Sequence, residues 1–288
     1  MIPFFAQGGP VAPLLLLLAA LLIDAILGDP QILWRTLPHP VAIIGRLIGW
    51  LDVKLNREHR TGLDRRLRGA AVALSLAGVA VAIGVGVTFL RNSTDWGWAV
   101  EMLLIWTLIA QKSLFQHVRA VAHGLERGGL AGGRWAVGRI VGRDPQSLDE
   151  FGVARAAIES CAENFADGVV APVFWYALFG FPGLLLVIAS AFLPGGHPLM
   201  AWVTMWRDHG HHRSPNSGWP EAAMAGALDL ALAGPRRYPG YSVDEQWIGS
   251  GRARATAGDI NRSLFVMALA CLLNAGLVIL ILILEYLK

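Results

Sequence analysis

Residues 264–284 read LFVMALACLLNAGLVILILIL, an apolar run without a single charged side chain. A bilayer core is crossed by about 20 helical residues, so this run is long enough to span a membrane as one helix. A second uncharged run of similar length lies at 69–90. The composition agrees with these runs, because 55% of the 288 residues are hydrophobic and only 16% are charged, which is apolar for a soluble domain. We therefore expect an integral membrane protein.

Three other apolar runs are less regular. The run 11–27 contains Asp24 and the run 98–110 contains Glu101, and a carboxylate is costly inside a bilayer. The run 168–193 is long enough to span, but prolines and glycines interrupt it, which favours two half-helices or a re-entrant hairpin over one straight helix. We expect an all-α integral membrane protein with about four to five transmembrane or re-entrant helices.

Basic residues are unevenly distributed among the polar loops of this single predicted membrane domain, 1–288. Loop 28–68 has eight Lys and Arg residues and loop 111–167 has seven, whereas the connection between the second and third runs has only Arg91. The positive-inside rule therefore places both basic loops in the cytoplasm and the N-terminus outside. If the broken run 168–193 crossed the membrane fully, the basic loop 194–263 would lie outside. A re-entrant segment would instead keep every basic loop on the cytoplasmic face, and we favour this arrangement.

An amphipathic helix is expected within the first polar loop, at 41–55. Apolar residues recur there at helical spacing, and Trp50 and basic side chains accompany them. This pattern is typical of a helix that lies in the membrane interface. A structural brace and a lid are both compatible with it.

Carboxylates are densest near the end of loop 111–167. Arg155, Glu159, Glu163 and Asp167 recur every four residues and should share one helical face. Such carboxylates repel one another unless a cation lies among them, and Mg²⁺ binds one or two carboxylates together with substrate phosphates. The alternative is a solvated helix face with an Arg155–Glu159 ion pair. The neighbouring Asn164 and the position of Asp167 beside the broken run favour a site.

Arg143 lies upstream, in a loop that precedes a predicted helix start. Ser147 or Asp149 is the expected N-cap of that helix. A helix N-terminus next to an arginine favours anions, so a phosphate could bind here. Helix capping alone explains the same residues, and both interpretations stay open.

A polar cassette, HRSPNSGWPE at 212–221, stands out in this apolar chain. Arg213 offers several donors to a phosphate or carboxylate, residues 215–218 are turn formers, and Glu221 falls in the first turn of a helix predicted at 220–232. The cassette is either an anion-binding turn or an ordinary linker between helices. The nearby histidines do not form an HExxH motif, which disfavours a zinc site.

Several common functions lack their signatures. The chain contains neither a GxxxxGK[ST] phosphate loop nor a GxGxxG dinucleotide motif. Its net charge of +3 is too small to indicate nucleic-acid binding. Any nucleotide would therefore be held by a different kind of site.

Together, the polar motifs resemble the adenosylcobinamide-phosphate synthase family over most of the chain, in order and register. The matching motifs are Asp24 with Gly28-Asp29-Pro30, Pro38-His39-Pro40-Val41, Gly45-Arg46, Ile140-Val141-Gly142-Arg143-Asp144, Glu159-Ser160, Glu163-Asn164, 167–172, 212–216, 218–221 and 234–238. The resemblance implies a multi-pass protein of the bacterial inner membrane that acts in cobalamin biosynthesis. The implied reaction joins aminopropanol phosphate, or a related amino alcohol phosphate, to a propionate carboxylate of adenosylcobyric acid by ATP-dependent amide formation.

The resemblance also implies roles for individual residues, with ATP and Mg²⁺ as cofactors and the corrinoid as substrate. Catalytic roles fall to His39, Glu163 and Asp167; metal binding to Glu159, Glu163 and Asp167; and substrate or phosphate binding to Arg143, Asn164, Arg213, Ser214, Asn216 and Glu221. Membrane lipid and other enzymes of cobalamin biosynthesis are the further partners that it implies, with no nucleic acid among them.

One block expected from the resemblance is absent. Members of this family carry a polar stretch with Asn-Thr and Asp-Ser dipeptides after the equivalent of 174–175, whereas this chain runs directly from 183–190 to Pro194 and contains no Asn-Thr dipeptide. If that block supplies catalytic groups, the chain would bind substrates without converting them. A non-catalytic sensor or corrinoid-binding protein on the same scaffold is therefore one alternative function. A small transporter is another.

Overall fold

The protein is described from a computed structural model, in which the chain divides into two compact units. Unit 1 comprises Met1–Ile23 and Asp29–Leu108, and unit 2 comprises Asp24–Gly28 and Ile109–Lys288. The residues that the structure describes are 11–30, 34, 38, 40–55, 57, 60–170, 172–173, 203–204, 206–211, 215–238, 241–243 and 246–287. Within them the fold is mostly helical, as predicted, and the prediction of a single domain stays a prediction.

Unit 1 is built from apolar helices. Its helices are α1 (Pro13–Leu27, of which residues 24–27 belong to unit 2), α2 (Pro40–Leu55), α3 (Gly62–Ser93) and α4 (Gly97–Leu108). The runs predicted at 11–27, 69–90 and 98–110 correspond to α1, α3 and α4. The helix expected at 41–55 is α2, and its Ile43, Leu47 and Trp50 side chains are exposed, as lipid contact would require.

Glu101, an unfavourable residue for a membrane-spanning run, lies in a buried ion pair. Its Oε2 is 3.3 Å from Nη1 of Arg91, and the two side chains are 9% and 3% exposed. Arg91 is in the last turn of α3 and Glu101 is one turn into α4. The carboxylate thus joins two consecutive helices, which explains its presence in an apolar segment without a transport role.

Unit 2 contains the core of the described chain. Its helices are α5 (Gln111–Val137), α6 (Glu150–Phe165), α7 (Pro215–Leu228) and α8 (Ala257–Tyr286). Short strands between α7 and α8 form two antiparallel ladders, in which β1 (Leu232–Ala233) pairs with β4 (Trp247–Ile248) and β2 (Arg236–Tyr238) pairs with β3 (Tyr241–Val243). The buried side chains of α5, α6, α7 and α8 form one continuous apolar cluster, so α6 is surrounded by protein.

The helix predicted at 220–232 is wrong in both of its bounds. Helix α7 begins at Pro215, contains Pro220 and ends at Leu228, after which Leu232 lies in β1. Residues 215–218 are therefore helical rather than a turn. Proline is favoured in the first turn of a helix because its missing N–H would have no partner there, and this preference prevails over the turn-forming character of the following residues.

Helix α5 doubles back on itself at Gly129. This glycine has φ 56° and ψ −152°, outside the helical region. A Cβ added to Gly132 would lie 2.6 Å from the carbonyl oxygen of Gly124. In a straight helix, residues eight positions apart would be separated by about 12 Å. The two halves of α5 therefore form a helical hairpin, and the glycines let their backbones touch.

We expect Gly132→Ala to destabilise unit 2 by about 1–3 kcal/mol, because the added Cβ would force the hairpin apart. Gly128→Ala is the matched control, since a Cβ there meets nothing within 4 Å and alanine favours helix more than glycine does. Unfolding followed by circular dichroism in detergent measures both. Equal stability of the two variants would contradict the close packing of the hairpin.

Asp24 caps the N-terminus of α5. Its Oδ2 accepts a hydrogen bond of 2.8 Å from the backbone N–H of Gln111, and Lys112 donates from Nζ to the carbonyl of Ile26 at 2.6 Å. A carboxylate is favourable there because a helix N-terminus presents N–H groups and a partial positive charge. The acidic residue of the first apolar run thus has a structural role.

Two helical stretches among the described residues are long and apolar enough to cross a membrane, Gly97–Val137 and Ala257–Leu284. The first stretch consists of α4 followed by the hairpin of α5. Only its α4 part is therefore a straight apolar helix. The second is α8, whose Leu272, Leu280 and Leu284 are more than half exposed. Lipid contact accounts for such exposure better than water does. The number of crossings stays a prediction, and most of 168–193, including the proposed re-entrant turn, lies outside the described residues.

Candidate functional site

Helix α6 holds two of the three predicted carboxylates, Glu159 and Glu163, and begins as the sequence indicates. Asp149 is the N-cap and accepts a hydrogen bond of 2.6 Å from the backbone N–H of Gly152, which confirms one of the two predicted caps. Asp144 caps the preceding short turn at Pro145–Ser147. These caps fix the start of α6 and therefore the direction in which its later side chains point.

Glu159 is buried, with 2% of its surface exposed. Its Oε2 forms an ion pair with Arg143, and its Oε1 accepts a hydrogen bond of 2.8 Å from the N–H of Ala233. Ala233 has φ 58°, an uncommon conformation for a residue with a side chain. The alternative of a solvated helix face is wrong at this position. The contacts give Arg143 and Glu159 a structural role, and ligand roles for them stay predictions.

Arg155 has other partners than those expected from its spacing. It donates a hydrogen bond to the carbonyl of Ala253, and its Cζ lies 5.3 Å from the centre of the Trp247 ring. Burial lowers the pKa of Arg155, although the nearby carboxylates of Glu159 and Asp149 act in the opposite direction. This arginine therefore anchors α6 to β4 and to the segment that follows β4.

Glu163 connects α6 to the polar cassette. Its Oε1 accepts a hydrogen bond of 2.6 Å from Oγ of Ser217, a buried residue in the first turn of α7. Asn216 precedes Ser217 in the same turn, and Arg213 and Ser214, like His39, lie outside the described residues. The structure thus brings together one carboxylate of α6 and the cassette, two features that are separated by 54 residues.

Asp167 lies beyond the end of α6, in a turn of π-helix at Ala166–Val170. The turn is attached to α5 because Ala110 donates a hydrogen bond of 3.1 Å to the carbonyl of Gly168. Such turns recur at functional sites. From Glu159 to Asp167 the acidic row therefore passes from a buried to an exposed environment. Among the described residues, no group of three or more His, Cys, Asp and Glu side chains is arranged to hold a metal ion.

Asn164 is held in one orientation by Ser160. Its Nδ2 donates to the carbonyl of Ser160 at 2.8 Å and to its Oγ at 2.9 Å, while that Oγ donates to the carbonyl of Ile140 at 3.0 Å. A carbonyl only accepts, so the amide nitrogen must face it and Oδ1 must face away. Asn164 thus presents an oriented acceptor beside Glu163.

A cavity of about 410 Å³ opens next to Asn164, between α5 and α6. Its size is within the range of small-molecule sites. The residues that line it are Ala110, Ser113, Leu114, His117, Arg139, Ile140, Val141, Asn164 and Gly168. His117 is a site residue that the sequence did not single out, while Ser160 and Ser217 lie within motifs but have no predicted role. Only their contacts identify these three residues.

Other polar residues of the region do not line this cavity. Glu221 is 1% exposed in α7, and His209 stacks on the Trp219 ring with 3.8 Å between ring centres. Burial raises the pKa of the Cys161 thiol to about 12, so this thiol stays protonated and is a poor nucleophile.

Comparison with known proteins agrees with the sequence motifs. A family model described as CobD/Cbib protein matches residues 17–193 and 183–267. The chain belongs to the CobD/Cbib family. The resemblance noted from the sequence motifs is thereby confirmed at the level of the family. No solved structure matches the chain significantly.

Curated relatives in the CobD/Cbib family are similar over nearly their whole length. A cobalamin biosynthesis protein CobD from a Sinorhizobium species is 45% identical over 92% of this chain and 97% of its own. Proteins of the same name from Brucella suis and Rhodobacter capsulatus are 37% and 38% identical, over 92% and 86% of this chain and 96% and 91% of their own.

The relatives contain positions that have no counterpart in this chain, which supports the predicted missing block. The Sinorhizobium alignment has 313 positions, whereas 92% of 288 residues is about 265, so about 48 positions have no counterpart in this chain. The family model matches in two segments that overlap at 183–193. That is where the motifs predict the missing block.

Proposed function

We propose that the protein is an adenosylcobinamide-phosphate synthase of the bacterial inner membrane. It would join aminopropanol phosphate, or a related amino alcohol phosphate, to a propionate carboxylate of adenosylcobyric acid in an ATP-dependent reaction of cobalamin biosynthesis. The observation that supports this most is the 45% identity to a cobalamin biosynthesis protein over nine-tenths of both chains. The contact between Glu163 and Ser217 adds a polar site where two predicted motifs meet.

Amide formation requires an activated carboxylate. In the proposed reaction a propionate oxygen attacks the terminal phosphorus of ATP, and ADP leaves. The amine nitrogen then attacks the acyl carbon, the C–N bond forms and the C–O bond to phosphate breaks. Inorganic phosphate and one proton are released. The protein contributes mainly by positioning the reactants and by stabilising the phosphate charge.

The residues near the start of α7 suit phosphate binding in this proposal. Helix N-termini present free N–H groups to anions, and α7 begins at Pro215. Arg213 and Ser214 immediately precede this terminus, so the cassette combines a cation, a hydroxyl and backbone donors. We assign the cassette to the phosphate groups of ATP or of the amine substrate.

The carboxylates of Glu163 and Asp167 fit Mg²⁺ in donor type, because this ion prefers oxygen ligands and takes one or two carboxylates together with substrate phosphates. Both side chains are at least partly exposed, whereas both oxygens of Glu159 are engaged by Arg143 and Ala233. We therefore propose Glu163 and Asp167 as the ligands. Bound Mg²⁺ would screen the charge of the phosphate oxygens.

The test is a direct assay of the detergent-purified protein. Adenosylcobyric acid, aminopropanol phosphate and Mg-ATP are incubated with it, and mass spectrometry detects the amide. We expect product that depends on ATP, and the Sinorhizobium relative serves as a parallel sample. Absence of product from this chain, with product from the relative, would refute catalysis by this chain.

A corrinoid-binding protein without catalytic activity is the second candidate function. The absence of about 48 positions present in a relative supports it, because the missing block could include catalytic groups. Corrinoid binding without amide formation in the same assay would favour this candidate. The transporter alternative loses support, since Asp24 and Glu101 have structural partners.

A further inference from the structure

The cavity between α5 and α6 contains a set of polar groups that the proposed reaction has not yet used. His117 and Ser113 come from the first half of α5, Arg139 follows its second half, and Asn164 comes from α6. Leu114 and Val141 provide apolar wall between them. Such a mixture of a few polar groups and apolar wall is typical of a small-molecule site.

His117 presents a hydrogen-bond acceptor in its neutral form. Its Nδ1 lies 2.7 Å from the carbonyl oxygen of Ser113. A carbonyl only accepts, so Nδ1 must bear the proton and Nε2 must bear the lone pair. The oriented Oδ1 of Asn164 is a second acceptor, because both hydrogens of its Nδ2 are directed to Ser160.

Arg139 adds a positive charge at the exposed side of the same cavity. Its side chain is exposed, and its Cζ lies 5.3 Å from the centre of the Trp135 ring. Guanidinium groups bind phosphates through several parallel N–H donors. The cavity therefore combines two acceptors with one anion-binding cation, and a ligand that matches it has a donor such as an ammonium group and a phosphate.

The three substrates of the proposed reaction differ in how well they match. A corrinoid macrocycle is far larger than a cavity of about 410 Å³. A nucleoside triphosphate has several anionic oxygens, which the two acceptors would repel and which a single arginine would not neutralise. A short amino alcohol phosphate has one ammonium group, a few carbons and one phosphate, and so matches both the polar groups and the apolar wall.

We propose that this cavity binds the amino alcohol phosphate, with His117 Nε2 and Asn164 Oδ1 accepting hydrogen bonds from its ammonium group and Arg139 pairing with its phosphate. The inference rests on the proposed function, because it identifies the position of the amine substrate in that reaction. Asn164 follows Glu163 along α6, but consecutive side chains leave a helix in different directions, and Glu163 is not among the residues that line the cavity.

The test measures binding of 1-amino-2-propanol phosphate to the purified protein by calorimetry, with two fragments of the ligand as probes. We expect His117→Leu and Arg139→Met each to weaken binding by about tenfold to a hundredfold, the range of a lost charge-assisted contact. Arg139→Met should leave the affinity for 1-amino-2-propanol unchanged, and His117→Leu should leave that for isopropyl phosphate unchanged. His123→Leu and Arg127→Met, on the same helix but away from the cavity lining, are the matched controls.

The same variants are compared in the amide-forming assay. We expect the KM for the amine to rise and the KM for ATP to stay constant. If the wild type forms amide and both variants keep its KM for the amine, the cavity assignment is wrong and the proposed function stands. If the wild type binds the amine phosphate in a His117-dependent and Arg139-dependent manner without forming amide, the cavity assignment stands and the proposed function fails.

Two results would overturn the cavity assignment directly. One is a rise in the KM for ATP alone, which would assign the cavity to the nucleotide. The other is equal weakening by the cavity variants and their controls. Because Arg139 is exposed, the Arg139→Met variant should fold normally. Its binding affinity therefore tests the cavity assignment even if the His117→Leu variant is unstable.

Discussion

If Glu163 binds Mg²⁺ as proposed, Glu163→Gln is expected to lower the rate of amide formation by at least about a hundredfold, because a bound metal ion stabilises the transition state by several kcal/mol and each 1.4 kcal/mol is about tenfold in rate. The substitution keeps the shape of the side chain and an oxygen that can accept from Ser217 Oγ, so the contact of 2.6 Å can persist. What is removed is the negative charge. Asp167→Asn should have an effect of the same kind.

The measurement combines the rate with an assay that does not require turnover. Mg-ATP should raise the thermal unfolding midpoint of the wild type, and Glu163→Gln should abolish that rise. Glu150→Gln is the matched control, since it removes the same charge from the exposed first turn of α6. A wild-type rate and a wild-type response to Mg-ATP in Glu163→Gln would contradict the metal assignment.

Arg143→Met is expected to destabilise the protein by about 3–5 kcal/mol, the usual cost of leaving one partner of a buried ion pair without the other. The side chains of Arg143 and Glu159 are 9% and 3% exposed, so water cannot replace the lost guanidinium. The double variant Arg143→Met with Glu159→Gln should recover part of the stability, because it removes both charges and keeps an oxygen that can accept from the N–H of Ala233. Denaturant unfolding in detergent gives the free energies, and Arg127→Met is the exposed control.

This second prediction separates a structural from a ligand role for Glu159. A structural role requires that Glu159→Gln lower the free energy of unfolding and leave the Mg²⁺ dependence of the reaction unchanged. A stable Glu159→Gln variant with an increased Mg²⁺ requirement would instead identify Glu159 as a metal ligand. Full stability of Arg143→Met would show that the ion pair contributes little to the fold.

The sequence predicts best what depends on neighbouring residues. Hydropathy locates α1 and α8, and local hydrogen-bonding chemistry predicts the N-cap at Asp149, because both properties depend on a few adjacent residues. The bounds of α7 were predicted less well, since Pro220 is compatible with a helix start and also with the second turn of a helix that begins at Pro215.

The contacts of the candidate site depend on residues far apart in the chain, and single-sequence patterns do not reveal them. Asp24 and Glu101 look unfavourable for membrane runs until Gln111 and Arg91 are found beside them. The four-residue spacing of the carboxylates predicts one shared helical face, but Asp167 lies beyond the end of α6 in a turn of π-helix, and Arg143 and Ala233 engage Glu159. The motifs indicated two halves of a site, and only the structure shows Ser217 donating to Glu163.

The cap that Asp24 provides limits where the chain can be divided into fragments that fold. Residues 24–28 belong by their contacts to the same unit as residues 109–288, although they precede all of α2, α3 and α4. A fragment beginning at residue 109 would therefore lack the carboxylate that receives the N–H of Gln111. Asp24 and Gln111 are separated by 87 residues, so unit 2 can be completed only after the segment that contains α2, α3 and α4 has been synthesised.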